Sequence, residues 1–175
     1  VKVNVFEAIE KRREITSYDD RPIPKDVLEN ILNAGYLAPA GNNLLSRELI
    51  LVTKRETLDQ LSIATPFVPW LKEAKAAIVV TGRPDISKYW VQDGSIASGF
   101  IWLAAVEHQL GAAFGAIYHA TDEEESMKRE NHVKQTVNIP DDRRVLSIIG
   151  LGYPKQDLKP KKHLSRESVV YYETM

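Results

Sequence analysis

The sequence predicts an α+β fold in which helices flank a mixed, mainly antiparallel sheet. Residues 27–37 carry apolar side chains at helical spacing, which predicts an amphipathic helix. Apolar runs at 76–82 and 144–151 have the length and composition of buried strands. Between them, nearly every residue from 96 to 106 is apolar or small, so we expect a helix that is buried on most sides.

Length and composition limit the classes of protein and partner. A chain of 175 residues suits one domain, which we expect to span residues 1–175. The formal net charge of -1 argues against a nucleic acid or an anionic membrane held by bulk charge. The absence of Cys excludes disulfides and thiol catalysis and is compatible with the cytoplasm, the location we expect. Lys2 and Glu7 break the first apolar run, so we expect no signal peptide.

The N-terminal part of the chain alternates helices with a small-residue loop. Asn4 and Glu7 have the spacing of a capping box, which predicts a helix that ends in the cations at 11–13. These cations suit either a helix C-terminus or an anion site, and the pattern alone does not decide between them. A second helix stops before Pro39, and a loop then leads into a strand at 48–53.

Small residues mark the long central helix and the strand that follows it. Gly94 and Ser98 lie one turn apart, as do Ser95 and Gly99, and small residues at this spacing let another backbone come close. We expect Gly111 to end the helix in the left-handed conformation. The next apolar segment, AAFGAI, has a glycine at its centre, which is typical of a strand that a ligand or another backbone approaches closely.

Two further features lie toward the C-terminus. Thr121 and Glu124 have the spacing of a second capping box, which predicts a mostly polar surface helix. The tail, residues 155–175, is basic at first and then reads SVVYYE, which has strand character. A strand so far from the core needs an edge to pair with, in its own sheet or in a partner's.

Five segments in this order resemble the FMN-dependent nitroreductase family over nearly the whole chain. They are the pair Arg12-Arg13 after the first helix, the loop APAGNNLLSRELILV, the helix and strand VQDGSIASGFIWLAAVEHQLGAAFGAI, the close IPDDRRVLSIIGLGYP and the tail KPKKHLSRESVVYYE. Each segment alone is a weak signal, and their joint order carries the resemblance.

The resemblance implies an NAD(P)H-dependent FMN oxidoreductase that works as a homodimer. Its FMN would lie at the dimer interface, with the tail 155–175 wrapping the partner and its strand exchanged. NAD(P)H and a small acceptor, such as a nitroaromatic or a quinone, would react in turn by a ping-pong mechanism. The flavin itself would carry out hydride transfer, so neither a catalytic side chain nor a metal is required. Four aromatic residues lie in segments that could cover a flavin, although such residues are more often core: Phe67, Trp70, Tyr89 and Trp90.

Five of the implied cofactor-binding positions belong to the phosphate end of FMN. Arg12 and Arg13 would contact the phosphate or the ribityl chain, and Lys161 and His163 would bind the phosphate. Glu14 stands where the family usually has Ser, which would bring an acidic group to this place. A phosphate dianion would raise the pKa of His163, so FMN affinity would weaken as the pH rises through the raised value; an exposed tail histidine is the alternative.

The other implied positions face the flavin ring. Asn43, with Pro39 and Ala40 beside it, would approach the ring from the other subunit. The backbone of Gly115 and Ala116 would meet the ring nitrogen that accepts the hydride.

Two further departures from the family pattern leave the activity open. Thr16 stands where Lys or Arg often supports the ring, and Leu45 replaces the usual Gln. One alternative is a non-catalytic FMN storage or sensor module. A second is another flavin enzyme of the same fold, either a dehydrogenase or a flavin-cleaving enzyme. A third is an α+β interaction domain without a cofactor, which leaves the joint order of the motifs unexplained.

Overall fold

The computed structural model describes residues 4–175. Within this range the chain forms five α-helices: α1 (Val5–Lys11), α2 (Lys25–Leu37), α3 (Arg55–Leu61), α4 (Trp90–Glu107) and α5 (Glu123–Val137). It forms four strands: β1 (Leu49–Val52), β2 (Ala76–Gly82), β3 (Gly111–Ala116) and β4 (Arg144–Gly152). The predicted α+β fold is confirmed, although the central helix begins earlier than predicted and the tail forms no strand in the described chain.

One four-stranded sheet organises the chain, in the order β1-β2-β4-β3 with every neighbouring pair antiparallel. The two central strands, β2 and β4, are buried along almost their whole length, which explains their continuous apolar sequences. The four strands are thus wholly antiparallel, and the one parallel pairing among residues 4–175 is an isolated bridge between Glu14 and Ala112. That bridge lays the segment after α1 along the outer edge of β3.

Helices cover both faces of this sheet. Alternate residues of β2 point to opposite faces, so Ala77 and Val79 belong to one apolar cluster and Ile78 and Val80 to the other. The first cluster includes residues of α3 and α5, and the second includes residues of α2 and α4. The sheet is therefore the middle layer of three.

The start of α1 follows its prediction. The Asn4 side chain accepts a hydrogen bond from the Glu7 backbone N–H at 3.0 Å, and the Glu7 carboxylate accepts one from the Asn4 N–H at 3.1 Å. The predicted capping box is confirmed.

The expectation that the central helix is buried on most sides is wrong for the single chain. Ile96 and Phe100 on α4 each keep 42% of their surface exposed. Gly94 and Ser98 face the sheet instead: a Cβ on Gly94 would lie 2.5 Å from the Leu146 side chain. Small residues thus let α4 lie close to β4, while Gly99 on the outer face has no atom within 4 Å of its added Cβ.

Two predicted helix ends shift by a few residues. Gln109, with φ of 62°, takes the left-handed conformation after α4, and Gly111 is already the first residue of β3. A Cβ on Gly111 would lie 2.6 Å from Ile15, so a close approach explains this glycine. Asp122, one residue after Thr121, caps α5 by accepting a hydrogen bond from the Glu125 N–H at 2.9 Å.

The predicted strand in the tail is also absent from the described chain. Residues Arg166–Ser168 form a short 3-10 helix, and Tyr172 makes only an isolated bridge to Thr174. A strand needs a neighbouring strand for its backbone hydrogen bonds, and this segment has none within residues 4–175. Among the helices of the same range, none is long and apolar enough to cross a membrane.

Candidate functional site

Three cations expected at the phosphate lie together where the tail crosses the end of α1. The Arg13 Nε donates to the Lys159 carbonyl at 3.1 Å, and its Nη1 donates to the Glu10 carbonyl at 2.6 Å. The Lys161 Nζ donates to the Ile9 carbonyl at 2.9 Å. Backbone carbonyls of a helix end attract cations, so the end of α1 holds both residues in place.

Arg12 is held by an aromatic ring that the sequence reasoning missed. Its guanidinium lies 4.6 Å from the centroid of the Trp102 ring, within the range of a cation–π contact. The Trp102 indole N–H donates to the Arg13 carbonyl at 3.1 Å, so one side chain of α4 fixes both arginines. An indole N–H in an apolar helix needs a partner when it is partly buried, which is the signal that could have identified Trp102.

The three positive charges of this cluster repel one another. Partial burial, together with the charges of Arg12 and Arg13, lowers the pKa of Lys161 below its ordinary value. Within residues 4–175, no ion pair joins any of these three cations to a carboxylate. A bound anion would relieve this repulsion, so the cluster has the chemistry of an anion site.

A cavity of about 560 Å³ opens beside the three cations, a volume within the usual range for small-molecule sites. Glu14 and Thr16 line it, together with Pro154 and residues 156–162 of the tail. Glu14 is exposed, so its carboxylate is open to solvent at the cavity wall. His163 is exposed and does not line this cavity, so the structure leaves it apart from the other three cations.

The outer edge of β3 lies next to this region. The Ile15 N–H donates to the Ala112 carbonyl at 3.0 Å, so the polar backbone groups of Ala112 point away from β4. Peptide groups alternate along a strand, and the N–H of Ala116 therefore also points away from β4, at an exposed residue. Gly115 is buried, and a Cβ there would lie 2.6 Å from Val68, so packing of protein against protein accounts for this glycine.

The loop between α2 and β1 lines a second cavity, of about 720 Å³. Pro39, Ala40 and Asn43 all contribute to its wall, as does Leu45, which is 81% exposed. Asn42 and Asn43 have φ of 55° and 54°, the left-handed region that asparagine tolerates better than most residues. Both asparagines are exposed, so their amides face outward.

Two charged side chains that the sequence reasoning did not single out fix this loop. The Arg47 guanidinium donates to the carbonyls of Ala38 and Gly35 at the end of α2. The Asp93 carboxylate accepts hydrogen bonds from the Gly41 N–H at 2.9 Å and the Ser46 hydroxyl at 2.5 Å. An acidic residue at helical spacing from buried positions of α4 was the available signal for Asp93.

The expected site residues thus form separate groups in one chain. Arg12, Arg13, Glu14 and Lys161 share the first cavity, whereas Asn43 and its neighbours share the second.

The four aromatic candidates have different surroundings. Trp90 is buried and packs edge-to-face with Tyr118, and the Trp70 indole N–H donates to the Phe67 carbonyl at 3.0 Å. The Tyr89 ring lies against Gly41. Phe67 is 72% exposed, so it is the one of the four with most of its ring free to meet a ligand.

Comparison with known proteins agrees with the predicted fold and family. The sequence profile of the family described as "Nitroreductase family" matches residues 9–66. A protein of Archaeoglobus fulgidus is 39% identical over 150 residues, which cover 83% of this chain and 83% of the relative. Its name is "Putative NADH dehydrogenase/NAD(P)H nitroreductase".

Solved structures extend the similarity to nearly the full length. A protein of Parabacteroides distasonis with the same name has a TM-score of 0.88 and 32% identity, over 98% of each chain. An FMN-dependent nitroreductase of Clostridium difficile has a TM-score of 0.88 and 28% identity, over 96% of this chain and 98% of its own. With this identity and coverage, the chain belongs to the nitroreductase family.

Proposed function

We propose that the protein is an NAD(P)H-dependent FMN oxidoreductase that acts as a homodimer. The observation that carries this proposal is the cluster of Arg12, Arg13 and Lys161, three cations without a carboxylate partner among the described residues, at the wall of a cavity of about 560 Å³. Family membership indicates the class of ligand, because a structurally similar protein of Clostridium difficile is an FMN-dependent nitroreductase.

The residues present fit the phosphate end of FMN. Arg12, Arg13 and Lys161 can each donate hydrogen bonds to phosphate oxygens, and a hydrogen bond to a charged group contributes about 1.5–3 kcal/mol. Trp102 holds the first two in place before any ligand arrives, which lowers the entropy cost of binding. Bound FMN would supply the hydride chemistry, and the protein would supply binding and orientation.

Beyond the three cations, Glu14 and Thr16 contribute polar side chains to the wall of the cavity. Thr16 offers a hydroxyl where a cation is common in the family, so we propose that the chain holds the ring by hydrogen bonding and burial. The outward N–H of Ala116 at the β3 edge is a further donor for a flat polar ligand. His163 would join the phosphate only if the tail moves from its place in the single chain, where it lies outside the cavity wall.

A homodimer would unite the two groups of residues that one chain keeps apart. Asn43, with Pro39 and Ala40, would then reach the ring from the partner, and the exposed loop is already fixed in shape. The outer face of α4, with Ile96 and Phe100 exposed, offers an apolar surface for this contact. We propose that the tail, residues 155–175, lies along the partner and forms its strand there, within a single domain of 175 residues.

We propose a ping-pong order, in which NAD(P)H would give its hydride to the flavin and leave as NAD(P)+ before a nitroaromatic or quinone acceptor binds. Phe67 and Leu45, both largely exposed, are the apolar side chains that we assign to acceptor contact. The uncharged Thr16 also keeps a second candidate open, a storage or sensor module that holds FMN without turnover.

Anaerobic visible absorption spectroscopy of the purified protein, with FMN added where none is bound, tests these proposals. We expect a protein-bound flavin spectrum that bleaches within seconds after NADH or NADPH is added. Bound flavin that stays oxidised with both donors would favour the sensor module. A protein that takes up no FMN would overturn both, and parallel lines in double-reciprocal plots are expected for the ping-pong order.

A further inference from the structure

A buried carboxylate on α4 holds the loop that precedes β1. Asp93 keeps only 3% of its surface exposed, and its two oxygens accept hydrogen bonds from the Gly41 N–H at 2.9 Å and the Ser46 hydroxyl at 2.5 Å. The described residues include no ion pair to Asp93. Its charge is instead met by these two donors and by the N-terminal turn of α4, in which it lies.

The two bonded residues bracket the exposed part of the loop. Gly41 and Ser46 lie on either side of Asn42 and Asn43, the two asparagines with positive φ. A left-handed conformation at two successive residues that are not glycine persists only where the surroundings impose it. The Asp93 bonds therefore act on both ends of the strained segment.

A second contact to the same turn of α4 supports this assignment. Gly41 packs on Tyr89, and a Cβ at Gly41 would lie 2.9 Å from the Tyr89 ring. The loop thus meets the start of α4 by a hydrogen bond on one side and by an aromatic ring on the other. Arg47 separately ties the base of the loop to the carbonyls of Ala38 and Gly35, whereas Asp93 bonds to the residues on either side of the exposed tip.

We propose that Asp93 is a positioning residue, whose carboxylate acts through Gly41 and Ser46 to hold Asn42 and Asn43 in the conformation that contacts the ligand. The ligand step rests on the proposed function, in which Asn43 approaches the flavin ring of the partner subunit. Holding the loop in advance lowers the entropy cost of that contact, since the segment is already ordered when the ligand arrives.

Hydrogen–deuterium exchange of the flavin-free protein tests the first step without any cofactor. We expect Asp93→Ala to speed exchange of residues 41–46 by about tenfold or more, because a hydrogen bond to a charged group no longer opposes local opening. Asp93→Asn retains an acceptor for Gly41 and a donor for the Ser46 hydroxyl, so its exchange should stay close to that of the wild type. Ser46→Ala, which loses one of the two bonds, should give an intermediate rate.

Ser98→Ala is the matched control, because Ser98 is also buried on α4 but bonds to Gly94 and lies 3.2 Å from Ser147 on β4. It should leave exchange of residues 41–46 unchanged. Equal exchange in Asp93→Ala and the wild type would overturn the proposal. Faster exchange in Ser98→Ala by the same factor would do so too, because the effect would then be general destabilisation.

The spectrum of bound FMN tests the second step. Asp93→Ala leaves Arg12, Arg13 and Lys161 intact, so FMN should still bind, with a shifted visible spectrum and a kcat/KM lowered about tenfold or more. Asp93→Asn should restore both. An unshifted spectrum in Asp93→Ala would overturn the ring contact, whereas a wild type that takes up no FMN would remove the proposed function and leave the exchange result standing.

Discussion

The Glu130 carboxylate receives two hydrogen bonds from the Arg144 guanidinium, at 2.7 and 2.9 Å, although Glu130 itself has no exposed surface. The same carboxylate accepts from the Val145 N–H at 2.8 Å and from the Ser126 hydroxyl at 2.7 Å. Four donors thus satisfy one buried charge. This cluster fastens the polar helix α5 to the start of β4.

Loss of this carboxylate should destabilise the fold strongly. Glu130→Ala leaves the Val145 N–H and part of the Arg144 guanidinium without their partners, and breaking a buried ion pair costs about 3–5 kcal/mol. Glu123 contacts the same arginine at 3.2 Å from an exposed position, so Glu123→Ala is the matched control and should cost about 1 kcal/mol or less. Urea denaturation measures both, and equal losses would contradict a special role for Glu130.

Lowering the pH should remove the stabilisation that the Glu130 carboxylate contributes to the fold. Burial favours the protonated form, but hydrogen bonds from Arg144, Val145 and Ser126 outweigh it and lower the pKa of Glu130 below the ordinary value of 4.5. The stabilisation is therefore complete above the ordinary pKa and is lost as the pH falls through the lower folded value. The difference in free energy of unfolding between the wild type and Glu130→Gln should shrink from pH 7 to pH 3, and a constant difference would contradict this.

The two faces of α4 should respond oppositely to an added methyl group. Gly94→Ala places a Cβ 2.5 Å from Leu146 and should destabilise the chain by about 1–3 kcal/mol. Gly99→Ala meets no atom within 4 Å in one chain, so helix propensity alone would stabilise a monomer by about 1 kcal/mol.

The effect of Gly99→Ala depends on whether the protein is a monomer or a dimer. If the outer face of α4 packs on a partner helix in the proposed homodimer, Gly99→Ala should weaken the dimer. Analytical ultracentrifugation over a range of concentrations measures this directly. A Gly99→Ala variant that is more stable and dimerises as the wild type does would exclude this face from the interface.

Local sequence chemistry predicted much of the fold. Two confirmed elements depend on neighbours within a few residues and were predicted from the sequence. They are the capping box of Asn4 and Glu7 and the apolar strand Ala76–Gly82. We expected Gly111 to be the left-handed residue after α4, but Gln109 takes that conformation. The close approach of Ile15 explains the glycine at position 111 instead.

Contacts between residues far apart in the sequence could not be predicted in this way. Lys161 meets the carbonyl of Ile9, 152 positions away, and Asp93 meets Gly41 across 52 positions. The resemblance placed Lys161 in a phosphate site, but nothing in the sequence connected Asp93 with the loop it holds. Burial of the outer face of α4 would require a partner chain, such as that of the proposed homodimer, and no periodicity within one chain can identify such a partner.

The phosphate cluster should lose affinity when one cation is removed. Lys161→Ala deletes one charged donor, so we expect FMN to bind about 10- to 100-fold more weakly. Lys155→Ala is the control, because it removes the same charge from the same tail at a position that does not line the cavity. The wild type should also lose affinity with rising salt, and Lys161→Ala should lose less, because fewer charges then meet the phosphate. Fluorescence titration with FMN measures both, and equal affinities for the two variants would place the phosphate elsewhere.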